Sequence, residues 1–211
     1  MRVSSSLLIV LLVLAAGTAL AQSTTDPEYV MLAESEEIAL ARSAAPDVVS
    51  DEATIWVLRD GQYEVAVEGT NQNHCFVARS QPKSLEPVCY DDEAAATILH
   101  WEFEYLALRL AGKSQEEMEL ALAEAVGSGA LPMPNRPAMS YMMSSAQRLY
   151  DPESGKSAGS WKPHIMLYIP YLTEQSIGLS EATGFLQVAR AGTPMAYLVV
   201  VVPDFVDPKS H

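Results

Sequence analysis

The sequence predicts an α+β domain: a mostly antiparallel sheet, a helical hairpin packed on it, and one disulfide-stapled β-hairpin. Three observations carry this prediction. Strand-like runs lie on both sides of a central helical block, without the strand-helix alternation of a parallel sheet. An Asp60-Gly61 pair separates two of those runs, a strong short-range hairpin signal. Cys75 and Cys89 are placed symmetrically about Pro82, as they would be on facing strands of a hairpin.

In chain order, residues 1–21 read as a cleavable export signal. Arg2 precedes the apolar run Leu7 to Leu14, and Ala19-Leu20-Ala21 forms an A-x-A cleavage site before Gln22. The run is too short for a membrane span, which needs about 20 apolar residues. No cysteine near the cut offers a lipid attachment site, so no membrane insertion is expected after cleavage. Residues 22–28 are polar and turn-forming, as a flexible mature N-terminus would be. The single α+β domain is expected over 29–206, with a C-terminal tail at 207–211.

Within the domain, Tyr29 to Ala44 is rich in Ala, Glu and Leu and predicts a helix, with Met31, Ile38, Ala41 and Ala45 near one face and Pro46 ending it. Strands follow at Ala53 to Leu58, Tyr63 to Glu68 and His74 to Arg79, the simplest pairing being an antiparallel meander closed by the cysteine hairpin. Asp91 and Asp92 are N-cap candidates for a helix whose stripe is Leu99, Phe103, Leu106 and Leu110, ending at Gly112. Ser114 and Glu117 have capping-box spacing for a second helix that carries Met118, Ala121, Leu122, Ala125 and Val126 before Gly127. A Pro-rich link, Leu131 to Pro137, leads to strand-like Ala138 to Ser144 and a polar loop, Asp151 to Ser160. His164 to Ile169 reads as a strand, Glu174 to Ile177 as a helical turn, and Ala196 to Val202 as a strand buried on both faces.

Composition narrows the function classes. Hydrophobic residues make up 49% of the chain and recur along its length, which argues against disorder. With 13 Lys and Arg against 27 Asp and Glu the formal charge is −14, and loss of Arg2 makes the mature chain one unit more negative. Such a field repels phosphate backbones and anionic headgroups, so nucleic acid is not an expected partner. In an oxidising compartment an isolated cysteine pair bridges, and a redox site would more typically show C-x-x-C; Cys75 and Cys89 are therefore expected to form a disulfide.

The most unusual stretch of the mature chain is Trp161 to Tyr171. As a strand it separates Ile165, Leu167 and Ile169 from His164, Met166 and Tyr168. The aliphatic face is expected to enter the core. The other face carries an imidazole, a thioether and a phenol, which either line a ligand pocket or form a second covered sheet face. Met133, Met139, Met142, Met143 and Met195 accompany His164 and Met166, and soft thioethers with imidazole suit copper, although Met139 and Met143 would point opposite to Met142. His100 and Glu104 lie one turn apart on a helix without the H-E-x-x-H pattern, so a solvated face is expected and no metal site is assigned. Gly155-Lys156-Ser157 resembles the end of a P-loop, but Tyr150 occupies the place of the first glycine. Ser80 and Lys83 have S-x-x-K spacing interrupted by Pro82, and no G-x-S-x-G elbow exists. Arg79, Arg136 and Arg148 are isolated cations able to hold a carboxylate, with Arg136 the best placed, at the possible rim of a pocket.

Taken in order, Cys75-x-Val77-x-Arg79-Ser80, Pro87-x-Cys89-Tyr90-Asp91, Met139-x-Tyr141-Met142 and Trp161-x-Pro163-His164-x-Met166-x-Tyr168 resemble a set of uncharacterised exported bacterial proteins of about this length. The resemblance implies a bacterial origin and one complete domain, and transfers no activity. The function expected is an exported, periplasmic or secreted domain that binds a small molecule or a protein without doing chemistry, through His164, Met166, Tyr168 and Arg136, with no cofactor. The alternative is an enzyme using His164 as acid or base with Tyr168, Glu102 or Glu104 assisting; copper handling is the third reading.

Overall fold

The computed structural model describes residues 29–151, 154–180 and 183–209. The expected signal peptide and mature N-terminus lie outside the described residues. Helices combine with a mostly antiparallel eight-stranded sheet and a Cys75–Cys89 disulfide, which is the α+β class the sequence predicts.

The first helix, α1, spans Glu34–Arg42, with Glu34, Glu36 and Glu37 in its first turn and Arg42 in its last, a charge order that suits the helix dipole. It starts later than expected, because Tyr29 to Ala33 is extended and held to the loop between the two cysteines instead, with Val30 N–H donating to Pro82 O at 3.0 Å. Met31 is exposed, and the buried face is Glu37, Leu40 and Ala41. Pro46 ends the region but also caps a short helix, α2 (Asp47–Ser50). Strands β1 (Thr54–Arg59) and β2 (Gln62–Val67) form the expected hairpin, with Asp60 and Gly61 both at positive φ, as a tight primed turn requires. Strand β3 (His74–Ala78) departs from the expected meander. It pairs with β1, in parallel, at Thr54↔His74 and Ile55↔Cys75. Gly69, in the connection, lies so close to the Glu52–Thr54 backbone that a Cβ there would meet Thr54 N at 2.3 Å, so the chain passes tightly around the start of β1 before entering beside it.

Strand β4 (Glu86–Tyr90) closes the cysteine hairpin, and Cys75 and Cys89 stand directly opposite each other. Asp91 then caps α3 (Asp92–Ala96), its side chain accepting from Ala94 N–H at 2.9 Å. One continuous helix was expected here. The chain instead breaks at Thr97 (φ −131°), whose hydroxyl donates to Glu93 O, and restarts as α4 (Ile98–Leu110). The capping box opens α5 (Gln115–Ser128), which runs through Gly127 and ends at Gly129 in the left-handed conformation.

Beyond the Pro-rich link lie β5 (Ala138–Met142), a two-stranded ribbon of β6 (Leu149–Tyr150) and β7 (Ser157–Gly159), β8 (His164–Tyr168), a 3-10 turn (Gln175–Ile177), β9 (Leu186–Ala189) and β10 (Tyr197–Val201). The sheet order is β2-β1-β3-β4-β5-β8-β10-β9. Neither β9 nor the ribbon was expected from the sequence.

Two opposite cores flank the first half of the sheet. Phe76, Val88 and Tyr90 point to Ala94, Ile98, Leu99 and Leu122 on α3, α4 and α5. Ile55, Cys75, Val77 and Cys89 point to Leu40, Ala41, Ala44 and Ala45 around α1. Doubly buried strands are therefore β3 and β4, whereas β10, expected to be buried on both faces, is half-buried throughout. The difference has a cause: among the described residues no helix covers the back of β8 and β10, where Leu172, Val188, Ala196 and Leu198 form a small cluster.

A buried ion pair ties α1 to the sheet. Arg79 Nη1 lies 2.9 Å from Glu37 Oε1, both side chains being essentially inaccessible, and Glu37 also accepts from Leu58 N–H at 3.1 Å. Replacing Glu37 with Ala strands the guanidinium in the core and should cost about 3–5 kcal/mol. Urea unfolding measures this; a loss below about 1 kcal/mol would show that Arg79 does not depend on Glu37. Reduction of the disulfide, which closes a separation of 14 residues, should cost about 3 kcal/mol in the same measurement.

Candidate functional site

Alternation along β8 sends His164, Met166 and Tyr168 to one face, and pairing with β5 and β10 extends each residue into a row across the sheet. The rows are Met142-His164-Val201, Ser140-Met166-Val199 and Ala138-Tyr168-Tyr197-Ala189. Apart from Ser140 and Ala138, which are fully buried, these residues form the floor of a cleft of about 600 Å³. One wall is α4, through Trp101, Glu102 and Tyr105, and the far rim carries Arg190 and Met195. The cleft exists because α4 covers the sheet only as far as β4, leaving the same face of β8, β10 and β9 open.

The burial expected for β8 is reversed. His164, Met166 and Tyr168 are the buried residues, Ile165 and Leu167 are half-buried, and Ile169 is exposed. The neighbours set this outcome: Met166 and Tyr168 join the larger core cluster with Tyr90, Ala138 and Met142, walled by Trp101 of α4, whereas behind the aliphatic face the described residues gather only the small cluster of Leu172, Val188, Ala196 and Leu198.

His164 Nδ1 is 2.8 Å from Lys162 O, so that nitrogen carries a proton and donates to the carbonyl. Burial pulls the imidazole below its ordinary pKa, against the smaller opposing effect of the Lys162 carbonyl, leaving a neutral ring with Nε2 as its acceptor. Trp161 packs edge-on against it, with ring centroids 5.8 Å apart. Among the described residues, no carboxylate is hydrogen-bonded to His164.

Two carboxyls give the cleft its titratable character. Glu86 is buried in β4; burial pushes it up to about 7, while the Ser80 and Ser84 hydroxyls and Arg109 favour its charged form. Glu102 on α4 is also raised to about 7. Enclosure by protein is the main cause and Glu86 adds to it, while Arg190 and the Tyr90 hydroxyl pull the other way. Burial raises the phenols of Tyr90, Tyr168 and Tyr197 as well, so they remain uncharged donors. The Arg190 guanidinium stands 4.9 Å from the Trp101 ring centroid. Trp101 stacks on Tyr105, and the Arg109 guanidinium lies over the Tyr105 ring.

Of the residues singled out from sequence, His164, Met166 and Tyr168 come together in this cleft, joined by Met142, Met195 and Glu102. Met139 faces the opposite side of β5, beside Leu167. Arg136 does not line the cleft; it is held by Asp92 and Glu93, at 2.7 and 2.9 Å, beside the start of α3. Arg79 is consumed by the ion pair with Glu37. His100 and Glu104 are exposed and border a second cleft next to Phe103. Among the described residues, no group of three or more His, Cys, Asp or Glu is arranged to hold a metal. Sequence reasoning missed Glu86, Tyr90, Trp101, Arg190 and Tyr197. Glu86 had a readable signal, a charge inside the otherwise apolar run Leu85 to Tyr90.

The raised carboxyls tie stability to pH with a definite sign. Folded values near 7 exceed the ordinary 4.5, so between these limits the native state binds more protons than the unfolded state. Their contribution is fully present below about pH 4.5 and is lost as pH rises through about 7. His74 and His164, lowered by burial, act in the opposite sense over part of this window, so the comparison must be made against variants. Glu86→Gln and Glu102→Gln should match wild-type thermal stability near about pH 4 and exceed it at about pH 8. A gap between variant and wild type that does not change with pH would contradict the assignment.

Neither family models, nor curated proteins, nor solved structures gave a match to this chain.

Proposed function

We propose that the protein is an exported bacterial domain, periplasmic or secreted, that binds a small molecule in the α4-walled cleft without transforming it. The observation that carries this reading is the cleft itself. Its volume of about 600 Å³ falls within the range of small-molecule sites, and its lining is aromatic and thioether surface with a few polar groups, as such sites require. The hydrogen bond from His164 to the Lys162 carbonyl, just ahead of its strand, supports a binding role, because it orients the imidazole as a fixed neutral group. Export is supported by the disulfide. Among the described residues, no helix is long and apolar enough to cross a membrane.

One observation favours a catalytic alternative. Glu102 and Glu86 both titrate near neutrality beside an aromatic cleft, a poise suited to general acid or base chemistry. In that reading Glu102, rather than His164, is the group with a titratable neighbour. Turnover abolished in Glu102→Gln would mark an enzyme, whereas a binding protein would release every ligand unchanged.

Trp101 and Trp161, two of the three tryptophans, line the cleft and report its occupancy. Native mass spectrometry of protein purified from its own compartment should show a retained small molecule. Rebinding that molecule should change tryptophan fluorescence, and Trp161→Ala, a change at a partly exposed side chain, should weaken binding by about tenfold. No retained mass, together with fluorescence unmoved by extracts of the same compartment, would refute the ligand reading.

A further inference from the structure

Resting on the reading of the cleft as a binding site, we propose that its ligand is an organic cation with an apolar body, the charged group lying over Trp101 against Glu102. The structure already shows a cation in that place. The Arg190 guanidinium sits 4.9 Å from the Trp101 ring centroid and within electrostatic reach of Glu102 and the Tyr197 hydroxyl. Arg190 is an exposed residue in the turn between β9 and β10, so this contact is made by a side chain reaching in from the rim and held by the Trp101 face and the Tyr197 hydroxyl. A soluble amine that brings its own apolar surface can take its place. Arg190 is then a built-in competitor for the Trp101 face, swinging out when the ligand enters.

The rest of the cleft agrees with this chemistry. Beyond the Trp101 seat, Met142, Met166, Met195 and Val199 offer an apolar and polarizable surface for the body of the ligand. His164 is neutral and presents an acceptor, and the carboxyls of Glu86 and Glu102 gain a partner when a cation arrives. An anionic ligand would meet those carboxyls and the field of a chain with a formal charge of −14. The cations available to hold it would be Lys162 at the rim and an Arg190 already engaged with Trp101.

Three probes of one size separate the possibilities: 4-phenylbutylamine, 4-phenylbutanol and 4-phenylbutyrate, titrated into the full-length folded protein by calorimetry and tryptophan fluorescence. The amine should bind at least about tenfold more tightly than the alcohol. Arg190→Ala should tighten the amine several-fold by removing the competitor, and Glu102→Gln should weaken the amine by about tenfold while leaving the alcohol unchanged. Both variants change a side chain without opening the core, and circular dichroism checks that they fold. Equal binding of amine and alcohol would overturn the cation proposal while leaving the cleft a ligand site. Preferential binding of the carboxylate, lost in Arg190→Ala, would overturn it in favour of an anion site. No binding of any probe to wild type or Arg190→Ala would overturn it outright.

Discussion

The Arg79–Glu37 pair is the contact on which the layering of this molecule depends. A guanidinium with no solvent access needs several partners at once, and Arg79 draws them from separate parts of the chain: the Glu37 carboxylate of α1, Val30 O of the N-terminal segment and Val77 O of β3, the strand it follows. Glu37 in turn binds Leu58 N–H at the end of β1, and Tyr63 of β2 donates to Val77 O. A pair of this kind contributes little net stability beside a well-packed apolar equivalent. Its physical effect is positional. With α1 held on the disulfide face, the α3–α4–α5 block is left to cover the opposite face of the same strands, and β3 and β4 become buried from both sides.

That layering produces the cleft by subtraction. Among the described residues, α3 and α4 contact the sheet from β2 to β5, and β8, β10 and β9 extend beyond them. Residues that would have met a fourth helix, Met166, Tyr168, Tyr197 and Val199, line a groove instead. The groove explains why Glu86 and Glu102 tolerate apolar surroundings: each is enclosed enough to be driven toward its neutral form, yet each retains hydroxyl or cationic neighbours that moderate the cost.

Local chemistry was legible in the sequence and long-range cover was not. The Asp60-Gly61 turn, the cysteine hairpin about Pro82, the Asp91 cap and the Ser114 capping box are all short-range features, and each appears where its residues place it. The break at Thr97 belongs to the same class but was hidden by an uninterrupted apolar stripe. Which strand β3 joins is decided by a six-residue connection with no periodicity, and its parallel entry beside β1 follows from the close passage of Gly69. The facing of β8 was misread for a related reason. Aliphatic residues enter the core only where other side chains pack on them, and the larger core cluster lies on the side of Met166 and Tyr168. Arg79 looked free because its partner is 42 residues away in sequence.

Structural and chemical parts of the molecule meet at β4. The disulfide, the ion pair and the doubly buried strands occupy the β1–β3–β4 half, while the cleft runs from Glu86 and Tyr90 of β4 over the β8–β10–β9 half, whose reverse side has, among the described residues, the small cluster around Leu172 and Val188. Opening free energy should therefore differ between the halves, high where two cores sandwich the sheet and low where one face is a groove and the other is half-covered. Arg190 lies at the weak end, in a turn that holds it at φ 51° by hydrogen bonds from Thr193 to its carbonyl, while its side chain spans the groove to Trp101. A non-glycine residue in that conformation is strained, and the strain is tolerable because it sits where local rearrangement does not disturb the stapled half.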